Sequence, residues 1–213
     1  MIVAIDGPAA AGKGTLARRL AEYLDLAYLD TGLLYRAVGF QVLEVGADPE
    51  NAVAAEKAAQ SLNSGYFDNP ALRTDVVAGA ASKVSAVPGV RASLLAFQRS
   101  FVADPPEGKK GAVLDGRDIG TVVCPAAAAK LFVTASVEVR AERRLKELRE
   151  RGEEAIHARV LRDMKERDAR DSGRDASPLV PADDALVLDT SDLNADAVFA
   201  TALDYIQKQT RSG

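Results

Sequence analysis

The hydrophobic positions of the chain are concentrated in short apolar runs that alternate with longer amphipathic segments. Short apolar runs bounded by turn residues are typical of buried strands in a parallel sheet. The segments between them place apolar residues three and four positions apart, which predicts helices. The pattern therefore predicts an α/β fold with a five-stranded parallel sheet formed by Ile2–Ile5, Leu26–Asp30, Ala112–Asp115, Lys130–Val133 and Leu186–Asp189.

Two long stretches between these runs contain no strand pattern. Residues 33–103 show helical periodicity and turn residues, which predicts a helical lobe inserted between two strands. Residues 137–177 begin as a highly charged helix and are interrupted near Gly152, as expected of a lid that closes over a ligand. We therefore predict one domain of 213 residues with three core segments, about 1–32, 104–136 and 178–213.

The stretch Gly7–Thr15 joins the first predicted strand to a helix and has the G-x-x-x-x-G-K spacing of a phosphate-binding loop. In such a loop successive backbone N–H groups and the helix N-terminus face an anion, and the lysine adds a mobile charge. Gly14 occupies the position where many such loops have a hydroxyl residue, so Thr15 is the candidate Mg²⁺-binding hydroxyl. We predict a P-loop NTPase-type three-layer fold that binds ATP through Gly7, Pro8, Ala9, Ala10, Ala11, Gly12, Lys13, Gly14 and Thr15.

Charge and cysteine content narrow the functional class. A net charge of −4 argues against nucleic acid or an anionic membrane as the main partner. The single cysteine excludes an intramolecular disulfide and suits a reducing cytosol. Only one histidine is present, so a histidine-based metal cluster is excluded. Because no apolar run is long enough to span a bilayer, we expect a soluble cytoplasmic protein.

Charged residues follow the predicted strand ends, where ligands bind in parallel α/β sheets. Asp115 ends the third strand and resembles a carboxylate that holds Mg²⁺ through water. Arg36 and Arg117 each lie within a few residues of a strand end and a glycine, which makes both candidates for phosphate binding. A surface or helix-pairing role is the alternative for each arginine, and a turn or helix-capping role is the alternative for Asp115.

More than half of the arginines lie between residues 140 and 174, where acidic residues nearly cancel their charge. Most of them are explained by ion pairs between residues four apart on solvated helices. Arg167, Arg170 and Arg174 are spaced three and four apart, so one helix face gathers three guanidinium groups. Planar guanidinium groups match phosphate oxygens, which predicts an arginine clamp beside the nucleotide.

Motifs beyond the phosphate loop make the pattern more specific. The stretches with DTG–YR and DGRD–GTVV, in this order and spacing, are rarer than the loop itself. With them, the chain resembles the bacterial cytidylate kinases over nearly its whole length. The resemblance is carried by IDGPAAAGKGT (5–15), LDTGLLYR (29–36), DGRDIGTVV (115–123), KERDARDSGR (165–174) and PLVPADDALVLDT (178–190).

This resemblance implies Mg²⁺-dependent transfer of the ATP γ-phosphoryl group to CMP or dCMP by a monomer. It implies catalytic roles for Lys13, Arg36, Arg117, Arg143, Arg167 and Arg174, with Arg170 also closing on the transferred charge. It implies CMP contacts from Thr31, Arg36, Arg73, Ser82, Arg91, Arg117, Asp118, Asp171 and Arg174, and metal binding by Thr15 and Asp115. The chain departs from the family at Asn63–Ala71, which is short and lacks the strand pattern of the small β-structured lobe that family members often insert there.

Two other functions remain open at this point. The nearest is another small-acceptor kinase of the same fold, with UMP, AMP or shikimate as acceptor. The second is a P-loop regulatory switch that binds nucleotide without transferring phosphate to an acceptor. A guanine-specific switch should carry an Asn-Lys-x-Asp motif, which this sequence lacks.

Overall fold

The computed structural model describes residues 1–211, apart from the side chain of Ser64; the last two residues of the predicted core segment 178–213 lie outside the described residues. Five strands form one parallel sheet in the order β2-β3-β1-β4-β5. The strands lie within about one residue of the predicted runs, at β1 Ile2–Asp6, β2 Ala27–Asp30, β3 Ala112–Gly116, β4 Ala129–Thr134 and β5 Leu186–Asp189. The predicted α/β fold with a five-stranded parallel sheet is confirmed.

The helices lie between these strands or after the last one, as the sequence pattern predicts. They are α1 Lys13–Leu24, α2 Thr31–Glu44, α3 Ala52–Gln60, α4 Asp75–Val84, α5 Pro88–Ala103, α6 Val137–Glu150, α7 His157–Ser172 and α8 Ala195–Arg211. A short π-helical segment, Ile119–Val123, follows β3. Within the described part of the chain, no helix is both long and apolar enough to cross a membrane.

The chain folds into two compact units, Asp30–Pro106 and the remainder. In the unit that contains most of the sheet, β1 is central and pairs in parallel with both β3 and β4. The residues Val3 and Ile5 of β1 are fully buried, as expected for a strand with neighbours on both sides and helices on its faces. Leu20 of α1 and Ile206 of α8 belong to the same hydrophobic cluster, so both helices pack on this part of the sheet.

The unit Asp30–Pro106 is helical, and no strand occurs between Thr31 and Pro106. Its core contains Leu34, Val38 and Leu94. The helical periodicity of residues 71–86 predicts a single helix there, which is wrong at its start, since Pro70–Arg73 forms a separate 3₁₀ turn and α4 begins only at Asp75. Asn69 accepts a hydrogen bond from the Ala71 N–H, and Thr74 is extended, so the turn closes before α4 begins.

Candidate active site

The loop between β1 and α1 has the backbone shape of an anion nest. Ala10 and Gly12 have positive φ angles of 58° and 91°, and α1 begins at Lys13 directly after them. Gly7 has φ of 142°, and a Cβ there would lie 1.9 Å from the carbonyl oxygen of Val133. Only glycine therefore allows the chain to pass β4 at this point. The N-terminus of α1 consequently faces the loop with its free N–H groups, the arrangement that binds phosphate.

Lys13 is buried at the start of α1, and its Nζ donates to the carbonyl oxygen of Pro8 at 2.7 Å. Burial, with the positive charges of Arg117 and Arg167, lowers the pKa of Lys13 to about 7, although the negative charges of Asp115 and Asp6 oppose this shift. The ammonium group is thus held inside the loop at a cost in free energy, which an anionic ligand would offset.

Asp115 lies at the end of β3 and is buried beside the start of α1. The Tyr28 hydroxyl donates to Asp115 Oδ2 at 3.2 Å. A Cβ on Gly14 would lie 3.3 Å from the same oxygen, so the glycine brings α1 close to this carboxylate. Gly14 is therefore explained by close packing against Asp115, while Thr15, the next residue, is exposed. Tyr28 was not predicted as a site residue, because its partner Asp115 lies in another strand.

Asp6 is a second buried carboxylate at the end of a strand, and it was not among the predicted site residues. Its Oδ1 accepts from the Ile119 N–H at 2.8 Å and its Oδ2 from the Gly120 N–H at 2.7 Å. Burial raises the pKa of Asp6 to about 6, against the lowering effect of these two hydrogen bonds. Asp118, one of the predicted CMP contacts, directly precedes the two amides and is itself buried.

Asp171, near the end of α7, is the buried centre of an arginine cluster. Arg117 Nε donates to Asp171 Oδ2 at 3.0 Å, and Arg167 Nε lies 3.8 Å from the same oxygen. Arg174 donates from Nε to the Asp171 carbonyl oxygen at 3.2 Å. Burial alone would raise the pKa of Asp171, but the charges of the three arginines lower it below its usual range. The structure thus brings together Arg117, which follows β3, with Arg167 and Asp171 of α7 and with Arg174. The predicted single helix face is wrong for Arg174, because α7 ends at Ser172, while Arg170 is half-buried on α7.

Two further arginines connect the charged helices to the phosphate loop. Arg143, the predicted lid arginine on α6, donates to both Oγ1 and the carbonyl oxygen of Thr190, at 2.9 and 2.6 Å. The Thr190 hydroxyl also lies 3.2 Å from the carbonyl oxygen of Ala11 in the loop. Arg140 pairs with Asp168 of α7 through two hydrogen bonds of 2.6 and 3.1 Å. Arg140 and Thr190 were not predicted, because their partners are distant in sequence.

Arg140 also donates to the carbonyl oxygen of Ala9, at 3.3 Å, and through its Nε to that of Ala135, at 2.9 Å. One guanidinium group therefore contacts the phosphate loop, the segment before α6 and, through Asp168, the helix α7. A rigid connection of this kind fixes the loop relative to both charged helices.

The helical unit contains the other predicted CMP-binding residues. Arg36 on α2 donates from Nη1 to the carbonyl oxygen of Leu72 at 2.8 Å. Arg91 on α5 donates to the carbonyl oxygen of Ser85 at 3.2 Å, and its guanidinium carbon lies 5.6 Å from the centre of the Tyr35 ring. The remaining predicted residues of this unit are the buried Thr31 and Ser82 and the exposed Arg73.

A family model described as cytidylate kinase matches residues 3–208. The chain belongs to the cytidylate kinase family. A curated cytidylate kinase of Paramagnetospirillum magneticum is 65% identical over 205 residues, which cover 96% of this chain and 97% of that protein. A cytidylate kinase of Rhodospirillum rubrum is 59% identical over 211 residues and 99% of both chains. The predicted resemblance is confirmed.

Solved structures of similar fold support the architecture only. A crystal structure of an uncharacterized protein from Eubacterium ventriosum aligns with a TM-score of 0.55 at 16% identity, over 98% of each chain. Within the described residues, no group of three or more His, Cys, Asp or Glu side chains is placed to hold a metal ion.

Proposed function

We propose that this member of the cytidylate kinase family transfers the γ-phosphoryl group of ATP to CMP or dCMP, giving ADP and CDP or dCDP. The observation that supports it is the match to curated cytidylate kinases at 65% and 59% identity over nearly the full length of each protein. The phosphate loop agrees with ATP as donor. Both reactants are phosphate anions, so positioning and charge neutralisation supply most of the catalysis.

The donor half of the proposed site is the loop Gly7–Thr15. Its backbone N–H groups bind the β- and γ-phosphates, with Lys13 as the neutralising cation. Since burial lowers the pKa of Lys13 to about 7, a bound phosphate favours its charged form and raises that pKa. Arg143, Arg167 and Arg170 complete the neutralisation of the transferred group as catalytic or lid arginines.

We propose that Mg²⁺ accompanies ATP and is held by Asp115, through water, and by the Thr15 hydroxyl. The residues fit this role because the Asp115 carboxylate is buried within reach of the start of α1 and oriented by the Tyr28 hydroxyl. When bound, the ion neutralises charge that develops on the β- and γ-phosphate oxygens. Tyr28 does not bind the ion in this proposal; its hydroxyl holds the Asp115 carboxylate in place.

The acceptor half of the proposed site binds a nucleoside monophosphate. Guanidinium groups bind its phosphate oxygens bidentately. We assign binding of the acceptor phosphate to Arg36, Arg117 and Arg174. Ser82 and Arg91 are assigned to the cytosine and Asp171 to the sugar, while Thr31 and Arg73 are assigned to CMP without a more specific contact. Asp118 accepts a hydrogen bond from the cytosine amino group, which uracil lacks.

We further propose that the enzyme is a single cytidylate kinase-like domain that acts as a cytoplasmic monomer. Its NMP-binding lobe spans about 33–103 and its lid about 137–177, with neither nucleic acid nor membrane as partner. Light scattering of the purified protein measures its mass directly. A dimer in the presence and absence of CMP contradicts the proposed monomer.

An acceptor panel tests the proposed activity. The purified protein is incubated with Mg²⁺-ATP and CMP, dCMP, UMP, AMP or shikimate, and ADP release is coupled to a spectrophotometric readout. We expect turnover with CMP and dCMP that exceeds that with the other acceptors. Faster turnover with UMP, AMP or shikimate supports a different kinase of this fold. ADP release that no acceptor stimulates supports a nucleotide-binding switch.

Two variants separate the acceptor roles. Asp118→Ala should reduce the preference for CMP over UMP without changing ATP binding, because only the base-reading group is removed. Arg36→Ala should lower the transfer rate by about a hundredfold or more, because a cation at the transferred charge is lost. Unchanged discrimination in the first variant, or a near wild-type rate in the second, contradicts the corresponding role.

A further inference from the structure

The end of β1 is connected to the acceptor side of the site through one buried carboxylate. Asp6 pairs in register with Gly116 of β3 and directly precedes the phosphate loop. Asp6 is 5% exposed, and its carboxylate reaches the segment Ile119–Val123, which follows Asp118. Both carboxylate oxygens accept backbone N–H groups, from Ile119 at 2.8 Å and Gly120 at 2.7 Å.

This contact takes the place of the usual helix cap. Asp118 is the N-cap residue of Ile119–Val123, and an aspartate at that position normally accepts from the N–H groups of its own helix. Here the Asp118 side chain makes no capping hydrogen bond, and Asp6 binds the first two N–H groups instead. The carbonyl oxygen of Asp118 accepts from the N–H groups of Val122 and Val123. The backbone at Asp118 is therefore held by these two hydrogen bonds and by the bonds from Asp6 to the two amides that follow it.

The geometry of Asp6 leaves little freedom for the segment that it holds. Two short hydrogen bonds from consecutive amides to one carboxylate fix the orientation of two peptide planes, the one between Asp118 and Ile119 and the one between Ile119 and Gly120. Charged groups of both halves of the site also act on Asp6: burial raises its pKa most, the charge of Asp118 raises it further, and the charge of Lys13 lowers it. The carboxylate therefore lies between the phosphate loop and the base-reading residue.

We propose that Asp6 is a positioning residue for acceptor specificity: by holding the Ile119 and Gly120 amides it fixes Asp118 for recognition of cytosine. This inference rests on the proposed function, in which Asp118 distinguishes CMP from UMP. Asp6 itself does not contact the nucleotide in this scheme. Its loss leaves two buried N–H groups without their acceptor, and the segment with Asp118 shifts to satisfy them.

Steady-state kinetics of Asp6→Asn test the proposal. The amide keeps the shape of the carboxylate, but only one of its two polar atoms accepts a hydrogen bond. We expect kcat/KM for CMP to fall by about tenfold or more, as for a lost buried hydrogen bond to a charged group. The corresponding value for UMP should fall less, and KM for ATP should change by less than about twofold.

The matched control is Asp48→Asn. Asp48 is exposed in the helical unit, and its carboxylate also accepts a backbone N–H, from Glu50 at 2.9 Å. This control should leave both acceptor constants unchanged. An equal fall for CMP and UMP in Asp6→Asn, or a larger effect on ATP than on CMP, overturns the proposal, because either result indicates a general structural role.

A double variant addresses the mechanism. If Asp6 acts through Asp118, then Asp6→Asn combined with Asp118→Ala should discriminate between CMP and UMP no less than Asp118→Ala alone. Additive losses of discrimination overturn the proposal. A wild-type protein that does not phosphorylate CMP refutes the proposed function instead, so the two failures are distinguishable.

Hydrogen exchange of the wild-type protein provides a test that does not depend on folding of the variants. The Ile119 and Gly120 amides should exchange slowly in the free protein and more slowly still with CMP bound. ATP alone should have a smaller effect on these two amides. Rapid exchange in the free protein, or protection by ATP but not by CMP, overturns the proposal.

Discussion

Removal of the charge on Asp171 is a severe test of the arginine cluster. The side chain of Asp171 is 4% exposed and that of Arg117 is 19% exposed, with 3.0 Å between Oδ2 and Nε. Arg167 and Arg174 also lower the pKa of this carboxyl. Asp171→Asn keeps the shape and removes the counter-charge, so three guanidinium groups remain together without it.

The burial of Asp171 determines how much unfolding free energy the substitution Asp171→Asn removes. Removing one partner of a buried ion pair costs about 3–5 kcal/mol of unfolding free energy. Arg117 retains contact with water, so we expect the lower end, about 3 kcal/mol. For a chain of this length that loss lowers Tm by about 6–12 °C. The matched control, Asp196→Asn, removes an 87% exposed partner of Arg19 and should cost less than about 1 kcal/mol.

The pH dependence has a defined sign. Because the pKa of Asp171 is lowered on folding, the carboxylate contributes stability above its unfolded pKa, and this contribution is lost as the pH falls through the folded value. The difference in Tm between wild type and Asp171→Asn should therefore be constant between about pH 5 and 8 and narrow below about pH 4. Differential scanning calorimetry across this range measures both quantities.

Anion binding offers a second readout of the same variant. Without the carboxylate, the cluster should bind sulfate more strongly, so sulfate should raise the Tm of Asp171→Asn more than that of wild type or the control. The control corrects for the general stabilising effect of sulfate. A Tm of Asp171→Asn equal to that of Asp196→Asn, with the same response to sulfate, refutes the assignment of Asp171 as the buried counter-charge.

Three other substitutions test separate contacts. Lys13→Met removes a buried charge whose presence costs folding free energy below its pKa of about 7. Calorimetry at pH 6 should therefore show no loss of stability, while kcat falls about a thousandfold, and a large drop in Tm contradicts this prediction. Thr190→Val removes the hydroxyl that accepts from Arg143, so KM for ATP should rise about threefold or more while KM for CMP stays unchanged. A rise in KM for CMP with KM for ATP unchanged contradicts this prediction. Gly7→Ala would place a Cβ 1.9 Å from the Val133 carbonyl oxygen, so equilibrium dialysis should detect no ATP binding, and near wild-type affinity contradicts the geometry.

Sequence patterns predicted the inner strands β1 and β3 well because both are buried on both faces, and the more exposed strand β5 was recognised from its short apolar run. A continuous apolar run such as Ala112–Asp115 needs no knowledge of its neighbours to be recognised. Helix boundaries were less accurate where local side-chain hydrogen bonds compete with the helix, as Asn69 does before α4. The order of the strands does not follow from the runs alone, since it depends on how each helix crosses the sheet.

The site was predictable only where it forms a contiguous motif. The spacing of residues within the loop Gly7–Thr15 is enough to predict that it binds phosphate. The role of the loop and the roles of the predicted arginines remain predictions that kinetic measurements can test. Asp6, Tyr28 and Thr190 instead bind groups 114, 87 and 179 residues away. Such contacts leave no periodic pattern, and for Asp6 the available indication was a carboxylate at the end of a buried strand.

The electrostatics of the unit that contains the phosphate loop explain why these unpredicted residues matter. Burial and, after it, the charges of Arg117 and Arg167 lower the pKa of Lys13, and the same two arginines lower the pKa of Asp171. The cations that an anionic substrate requires are therefore held together before it binds, against their mutual repulsion. Asp171 offsets part of that repulsion, and Asp115 and Asp6 oppose the loss of charge on Lys13. The buried carboxylates thus allow the folded protein to keep a cluster of cations whose unfavourable free energy is released when phosphate groups bind.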